Sequence, residues 1–191
     1  NVISTKGTKY CKYVVHANGA WAGQLALPEP RPRLLPVRPV RGQMIKFTLP
    51  RYALRHVIRW AGGYLVPRNH GAMVLGSTQE EVGFDKRTTE SGLKSLWKEG
   101  ASVIPSLSKE KPLATWAGLR PGTPDDLPIL GALTENPQTI VATGHFRNGI
   151  LLAPITAHVV GDLVGQGETA YDLSPFQPNR FLESNKKEAR A

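Results

Sequence analysis

Two segments of this sequence place an arginine among glycines. One is Trp116-Ala-Gly-Leu-Arg-Pro-Gly122, and the other is Gly144-His-Phe-Arg-Asn-Gly-Ile150. Glycine lets the backbone come close to a ligand, and a guanidinium can pair with a carboxylate through two parallel hydrogen bonds. The second segment runs into an apolar helical stretch, so its amides can form a helix N-terminus that favours a negatively charged or electron-rich group. Together the segments predict a site that holds a carboxylate beside such a group.

Each arginine also has a plain interpretation, and spacing alone leaves both open. Arg120 binds a substrate carboxylate or is a surface residue paired with Asp125 or Asp126. Arg147 supplies positive charge to an anion or an anionic cofactor ring, or it faces solvent in a turn.

Two further side chains are candidates for chemistry. His145 could act as an acid or base, but the sequence identifies no partner for it, and a lone histidine is more often structural. The Tyr64 hydroxyl could line a pocket, although an ordinary core or rim tyrosine is an equal alternative.

Composition excludes several classes of protein. The 191 residues suffice for a core, and the formal charge of +9 comes from scattered basic residues without a zinc-finger or RNP-like motif, so nucleic acid is not the expected partner. No apolar run approaches the length of a membrane span. The single Cys11 excludes an internal disulfide and any multi-cysteine metal site; we expect a buried or half-buried thiol in a reducing cytoplasm.

The elements that must position these residues follow from periodicity and turn signals. We predict a buried strand at 10–17, a short helical piece at 20–22 and an extended, proline-rich crossover at 27–39. Helices are expected from a Thr88 or Thr89 cap to Ile104, and from an Asn148 cap to about Val164, with a missing backbone bond or a kink at Pro154. The remaining expected strands are 40–49, 55–60, 64–67, 73–75, 113–119 and 139–142, with a hairpin turn at Gly62-Gly63.

Six stretches resemble the C-terminal part of the D-amino-acid oxidase superfamily of flavoproteins, with the greatest likeness to glycine oxidases of the thiamine-biosynthesis type. They are residues 14–21, 39–43, 63–68, 75–78, 116–131 and 144–154.

The resemblance implies FAD as cofactor and assigns roles to three catalytic and substrate-binding residues. Arg120 matches the arginine that clamps the substrate carboxylate, and Tyr64 matches a tyrosine over the substrate side of the flavin. Arg147 matches an arginine near substrate and flavin. The helix-start amides that face the flavin pyrimidine edge match the cofactor-binding residues His145, Phe146, Arg147, Asn148, Gly149, Ile150 and Leu151. Gln79 stands where some relatives have an apolar methionine, which leaves the substrate preference open.

The resemblance also implies a fold and a division of the chain. We expect an α+β fold, in which an antiparallel twisted sheet with a flanking helix forms a substrate-binding domain at 25–112. Residues 1–24 and 113–172 are expected to belong to an FAD-binding domain, and 173–191 to form a C-terminal tail. No G-x-G-x-x-G follows a strand-like run, so the dinucleotide-binding half is expected N-terminal to Asn1.

The expected activity is FAD-dependent oxidative deamination of glycine, sarcosine or small D-amino acids, with dioxygen reduced to hydrogen peroxide. The expected partners are the small amine or amino-acid substrate, dioxygen, the N-terminal half of the same enzyme, and a second copy of the chain as a further candidate. Two alternatives remain: a dehydrogenase of the same superfamily that passes electrons to another acceptor, and a non-catalytic basic interaction fragment.

Overall fold

The chain forms two compact units. The structure is a computed structural model that describes residues 2–27, 33–49 and 54–181. Unit 1 comprises Asn1–Arg38 with Arg120–Ala191, and unit 2 comprises Pro39–Leu119. Both boundaries lie later in the chain than the expected 24/25 and 112/113. The roles of the units as FAD-binding and substrate-binding domains stay predictions.

Two of the strands in the described residues are long, and the others are short. The strands are β1 (Val2–Ser4), β2 (Gly7–Lys9), β3 (Val14–His16), β4 (Ala26–Leu27), β5 (Arg33–Leu34), β6 (Arg38–Thr48), β7 (Ile58–Trp60), β8 (Gly63–Pro67), β9 (Ala72–Gly76), β10 (Ala114–Gly122), β11 (Ile129–Ala132) and β12 (Thr139–Thr143). The α-helices are α1 (Glu90–Val103) and α2 (Gly149–Gly165), and 3-10 turns cover Gly19–Gln24, Asn69–Gly71, Pro105–Lys109, Ser174–Phe176 and Pro178–Phe181.

Unit 2 is built on a sheet of order β10-β6-β9-β8-β7. The β6–β9, β9–β8 and β8–β7 pairs are antiparallel, as expected from their close spacing. The hairpin turn lies at residues 61–62, one residue before the expected Gly62-Gly63, because Trp60 pairs with Gly63. The apolar residues of one sheet face pack with α1, and the buried cluster is Ile45, Phe47, Leu49, Leu65, Met73, Leu75, Leu96 and Leu107.

Helix α1 begins where the sequence predicts. The Thr89 hydroxyl accepts a hydrogen bond from the Gly92 N–H, which satisfies one of the amides at the helix start. The helix ends before Pro105, which begins the next 3-10 turn. Its Trp97 ring packs edge-on against Phe47 with 5.4 Å between centroids.

Unit 1 contains a mixed sheet of order β11-β12-β3, in which β12 pairs antiparallel with β11 and parallel with β3. One side of α2 packs on this sheet through Val159 and Leu163, with Leu130 and Ile140 in the same cluster. Helix α2 includes Pro154, whose missing N–H removes one helical hydrogen bond, as predicted.

Two expectations about unit 1 are wrong, and one strand was not predicted. The strand expected at 10–17 is confined to Val14–His16 and is at most half-buried, because β3 is the last strand of its sheet. Cys11 is exposed, not buried, since it lies in the loop after the exposed β1–β2 hairpin. The sequence also gave no indication of β11. It follows Pro128 and contains Gly131, two residue types that are uncommon within strands.

Two expected segments fall partly outside the described residues. The proline-rich crossover includes residues 28–32, of which nothing is described, while β4 and β5 on either side pair antiparallel. In the expected tail, Ser174–Phe176 and Pro178–Phe181 form 3-10 turns that pack against other parts of unit 1, and 182–191 lie outside the described residues.

The α+β class is confirmed by the antiparallel sheets and the small number of helices. Within residues 2–27, 33–49 and 54–181, the helices are too short or too polar to cross a membrane.

Candidate functional site

The structure brings the two arginine segments together within unit 1. Arg120 lies near the end of β10, and the carbonyl oxygen of the next residue, Pro121, accepts a hydrogen bond from the Phe146 N–H at 3.1 Å. Arg147 follows directly in the loop that begins α2. The two arginines are therefore carried by backbone segments that are hydrogen-bonded to each other.

Gly144 makes this contact sterically possible. Its φ of +75° belongs to the left-handed region, and a Cβ at this position would lie 2.6 Å from the Thr123 Cγ2. Thr123 cannot easily move away, because it is fully buried, its hydroxyl donates to the Leu127 carbonyl at 2.9 Å, and its own carbonyl accepts from Arg38 at 2.7 Å. The glycine is thus required where the loop passes the strand.

The start of α2 has backbone amides without acceptors in the helix. In the first turn, the N–H groups of Gly149, Ile150 and Leu151 have no carbonyl one turn earlier in the helix to accept them. The Ile150 side chain is 94% exposed, and the first turn contains no acidic residue. Asn148 occupies the predicted cap position, although its side chain makes no capping hydrogen bond. This helix start, with Arg147 exposed beside it, is positively polarised and open to an electron-rich group.

His145 has a partner that the sequence did not identify. Its Nε2 lies 2.9 Å from the Thr156 Oγ1, on the second turn of α2. Burial lowers the pKa of His145, so the ring is neutral at pH 7. The histidine therefore adds no charge at the helix start.

The aspartate next to the first arginine segment is engaged elsewhere. Asp125 accepts hydrogen bonds from the Arg180 Nε at 2.8 Å and Nη2 at 3.2 Å. These contacts, led by the side-chain hydrogen bond from Arg180, lower the pKa of Asp125. The plain interpretation that offered Asp125 as a partner of Arg120 thus did not foresee its ion pair with Arg180, a residue 55 positions later.

Tyr64 belongs to unit 2, where its ring lies across a glycine. It pairs with Gly76 on the neighbouring strand, and a Cβ at Gly76 would come within 2.6 Å of the ring. The Tyr64 hydroxyl donates to the Met44 sulfur at 3.5 Å. The ring is half-buried, on the sheet face opposite the Leu65 and Leu75 side chains that pack toward α1. The contact with Met44 is weak, so a ligand could replace it as the partner of the hydroxyl.

A buried polar network holds the segment that follows Gly76. Arg41 is 3% exposed and donates to Glu80, to the Arg87 carbonyl at 2.9 Å, and forms an ion pair with Asp85 at 3.5 Å. Gln43, which is fully buried, donates from Nε2 to Glu80 at 2.7 Å.

The same network extends to the start of α1 and holds the residues on both sides of Gln79. The Gln43 amide oxygen accepts from the Thr89 N–H at 2.7 Å, and its backbone N–H donates to the Thr78 hydroxyl at 2.9 Å. Thr78 and Glu80 are both anchored, while Gln79 between them is exposed. Sequence reasoning missed this network, since polar residues far apart in the chain carry no local periodicity.

The residues of unit 1 fit part of a flavin site. Helix-start amides, an exposed arginine and the absence of acidic residues in the first turn of α2 suit the electron-rich pyrimidine edge of an isoalloxazine ring. The exposed Ile150 and Leu151 leave space for a ring system beside these amides. His145 through Leu151 are the residues that would hold that edge.

Comparison with known proteins agrees with this chemistry. Residues 1–163 match the family described as DAO: FAD dependent oxidoreductase. The chain is 37% identical over 177 residues to a glycine oxidase of Pseudomonas aeruginosa, a match that covers 93% of the chain and 48% of that protein.

Solved structures show the same relationship. A glycine oxidase from Geobacillus kaustophilus matches with a TM-score of 0.84 and 37% identity, covering 92% of this chain and 47% of the other. An L-proline dehydrogenase from P. horikoshii matches with a TM-score of 0.85 and 25% identity, covering 94% and 50%. The chain spans about half the length of the relatives it matches, and it belongs to the family of FAD-dependent oxidoreductases that includes glycine oxidase.

Proposed function

We propose that this chain supplies the substrate-binding residues and one part of the flavin-binding surface of an amine oxidase. That enzyme oxidises glycine, sarcosine or small D-amino acids to the imine, which water converts to the oxo acid. The observation that carries the proposal is the Phe146–Pro121 hydrogen bond, which joins the two arginine segments at the start of α2. A dinucleotide-binding half, on the same chain or on another, completes the site.

The residues of the chain have distinct tasks in this proposal. Arg120 binds the substrate carboxylate through its planar fork and so fixes the amine-bearing carbon. Arg147 and the amides of Gly149, Ile150 and Leu151 stabilise negative charge on the cofactor ring. The Tyr64 hydroxyl contributes a hydrogen-bond donor on the substrate side. FAD, when bound, supplies the two-electron acceptor, and dioxygen takes the electrons on as hydrogen peroxide.

The neutral His145 is consistent with these tasks. Because burial lowers the pKa of its ring, it remains uncharged while a zwitterionic amino acid binds. No side chain of the chain is needed as a general base if the ammonium group loses its proton on binding.

The assignment of Arg120 is tested in the enzyme completed by its dinucleotide-binding half. The Arg120→Ala variant should weaken glycine capture by about 2–5 kcal/mol, since a charge-assisted bidentate contact is lost. Arg120→Lys should restore little, because an ammonium cannot reproduce the fork. Flavin content should stay unchanged, and Arg55→Ala, which removes an exposed arginine of unit 2, should bind glycine normally. Unchanged apparent affinity in Arg120→Ala would refute the assignment.

The need for a second half is tested with the 191-residue chain alone. The helix dipole contributes roughly 0.3–2 kcal/mol, and a few amide bonds add about 1 kcal/mol each. This falls short of the roughly 8 kcal/mol that micromolar binding requires. The purified chain should therefore lose FAD on gel filtration. A yellow, stoichiometric and active monomer would show that the chain is sufficient by itself.

The alternative reaction is a dehydrogenase that passes electrons to a quinone or a partner flavoprotein. It is favoured by the similarity to the L-proline dehydrogenase. Peroxide formation under air by the complete enzyme distinguishes the two, because only the oxidase uses dioxygen efficiently. A basic interaction fragment would instead show nucleic-acid binding that falls steeply with salt.

A further inference from the structure

Unit 1 contains a cavity to which none of the roles above assigns a ligand. Its volume is about 420 Å³, and it lies between one side of α2, the turn at residues 126–128 and the segment at 171–176. These three parts of the chain are all within unit 1. The cavity is large enough for a ligand with one ring and a short side chain.

The cavity lies on a different side of α2 from the exposed helix start. Asn148, Leu152, Ile155, Thr156 and Val159 line it, at the spacing of one helical face. The side chains of Ile150 and Leu151 are 94% and 76% exposed and are not among its lining residues. His145 and Asn148 belong both to this lining and to the segment proposed to hold the flavin, so the two sites adjoin there. The amides of Gly149, Ile150 and Leu151 that the flavin site uses lie at the exposed start, and the other helical residues of the cavity are further along α2.

The fixed charge of the cavity is negative. Asp126 and Asp172 line it, and none of the described residues that line it is lysine or arginine, in a chain of net charge +9. Hydrogen bonds from the Ser174 side chain and backbone lower the pKa of Asp172, so this carboxylate stays ionised well below neutral pH. His145, on the cavity wall, has its pKa lowered by burial and is neutral.

The walls of the cavity suit the apolar part of a ligand. Tyr171 and Phe176 contribute aromatic rings, and Leu152 and Ile155 contribute aliphatic surface. An aromatic face attracts a cation, and apolar walls with a few polar groups are typical of small-ligand sites. The combination of two carboxylates, two rings and aliphatic walls favours a ligand that is both positively charged and hydrophobic.

We propose that this cavity binds a small organic monocation of the arylalkylamine class, with its ammonium group toward Asp126 and Asp172 and its ring against the apolar walls. The proposal does not rest on the flavin reaction and is tested on the chain without cofactor.

The probes are three ligands of similar size that differ in charge: 2-phenylethylammonium, 2-phenylethanol and 3-phenylpropionate. Each is titrated at pH 7 into the isotopically labelled 191-residue chain, and amide chemical shifts are followed by NMR. The cation should cause saturable shifts that map to 126–130, 145–159 and 171–176. The alcohol should bind more weakly, and the anion weakest of the three.

Matched variants separate the charge from the cavity. Asp126→Asn keeps a residue that tolerates the φ of +57° found there, and Asp172→Asn keeps an oxygen that can accept from Ser174. Each should reduce the affinity for the cation about two- to fivefold, with no effect on the alcohol. Glu135→Gln removes an equivalent exposed charge outside the lining and should change nothing. Leu152→Trp should fill the cavity and abolish binding of all three probes.

Several results would overturn the proposal. Absence of saturable shifts for the cation is one, and equal affinity for cation and anion is another. Binding that survives in Leu152→Trp, with the variant shown to be folded by its own amide spectrum, would place the ligand elsewhere.

Discussion

Unit 2 packs one face of its sheet against α1 in a fully buried cluster, whereas unit 1 leaves the start of α2 exposed. In unit 2, Phe47, Leu65 and Leu75 are 0% exposed between the sheet and α1. In unit 1, the side of α2 away from the sheet carries Ile150 at 94% and Leu151 at 76% exposure. Both units expose single apolar side chains elsewhere, such as Leu113 of unit 2 at 63%, so the contrast lies in the two helices.

The difference shows what the two helices pack against. Helix α2 is apolar on more than one side, which is typical of a helix covered by protein all round. Contiguous exposed apolar surface of this kind marks an interaction site. This supports the proposal that another half of the enzyme covers unit 1.

The largest expected effect on stability comes from removing a core side chain of unit 2. Phe47→Ala should lower the free energy of unfolding by about 3–5 kcal/mol, because a fully buried ring is replaced by a cavity. The counterpart in unit 1, Leu151→Ala, should change it by no more than about 0.5 kcal/mol in the isolated chain. Urea unfolding followed by circular dichroism measures both, and similar losses would refute the distinction.

A second test compares two glutamines of unit 2. Gln43→Ala removes side-chain hydrogen bonds to Glu80 and Thr89 and leaves buried partners unsatisfied, so it should cost about 2–4 kcal/mol. Gln79→Ala, at an exposed neighbouring position, should cost less than about 0.5 kcal/mol. If Gln79 contacts substrate in the complete enzyme, its variant should change KM for glycine without changing stability. A large stability loss in Gln79→Ala would show that the network extends further than described.

The smallest expected effects concern the pH dependence of stability, which should differ between the two units. In unit 1, burial lowers the pKa values of His16 and His145, so the unfolded chain binds protons first as the pH falls below about 6.5. Unit 1 should therefore lose stability between about pH 7 and 5.

In unit 2, the corresponding loss of stability begins at a lower pH. Hydrogen bonds from Arg87 lower the pKa of Asp85 to about 2. Burial alone would raise the pKa of Glu80, but hydrogen bonds from Thr78, Arg41 and Gln43 outweigh it and lower that pKa. Carboxylates of this kind stabilise the folded state above their unfolded pKa values and lose that effect as the pH falls through the folded ones, here from about 4.5 toward 2.

Two single-tryptophan variants measure these windows, one retaining Trp21 in unit 1 and the other Trp97 in unit 2. The urea midpoint reported by Trp21 should fall before that reported by Trp97 as the pH is lowered from 7 to 3. Replacing His16 and His145 together by asparagine should flatten the change between pH 7 and 5, and the exposed His56→Asn should not. Coincident midpoints at every pH would indicate that the units unfold together.

Caps, prolines and turn glycines predicted the ends of the elements that they themselves determine. The Thr89 cap and the stop at Pro105 gave the bounds of α1 to within a residue, because caps and prolines act within one helical turn. The two glycines at 62 and 63 gave the hairpin to within one residue for the same reason.

Contacts between distant residues could not be read in this way. Strand β11 forms because β12 offers it a partner, in spite of Pro128 before it and Gly131 within it. The exposure of Cys11 depends on which surfaces cover the loop, and no periodicity records that. At the candidate site, the loop glycines and arginines were visible in the sequence, whereas the Asp125–Arg180 pair required the folded chain.

The pairing of β3 with β12 has a consequence for the order of folding during synthesis. Val15 has its sheet partner in Ile140, and the whole of unit 2 is translated between them. At ordinary rates of translation, β3 leaves the ribosome on the order of ten seconds before its partner exists. Unit 2 is complete in that interval and can fold first, while the early strand waits with an unpaired edge, at the stage when a chaperone would be of most use to the nascent chain.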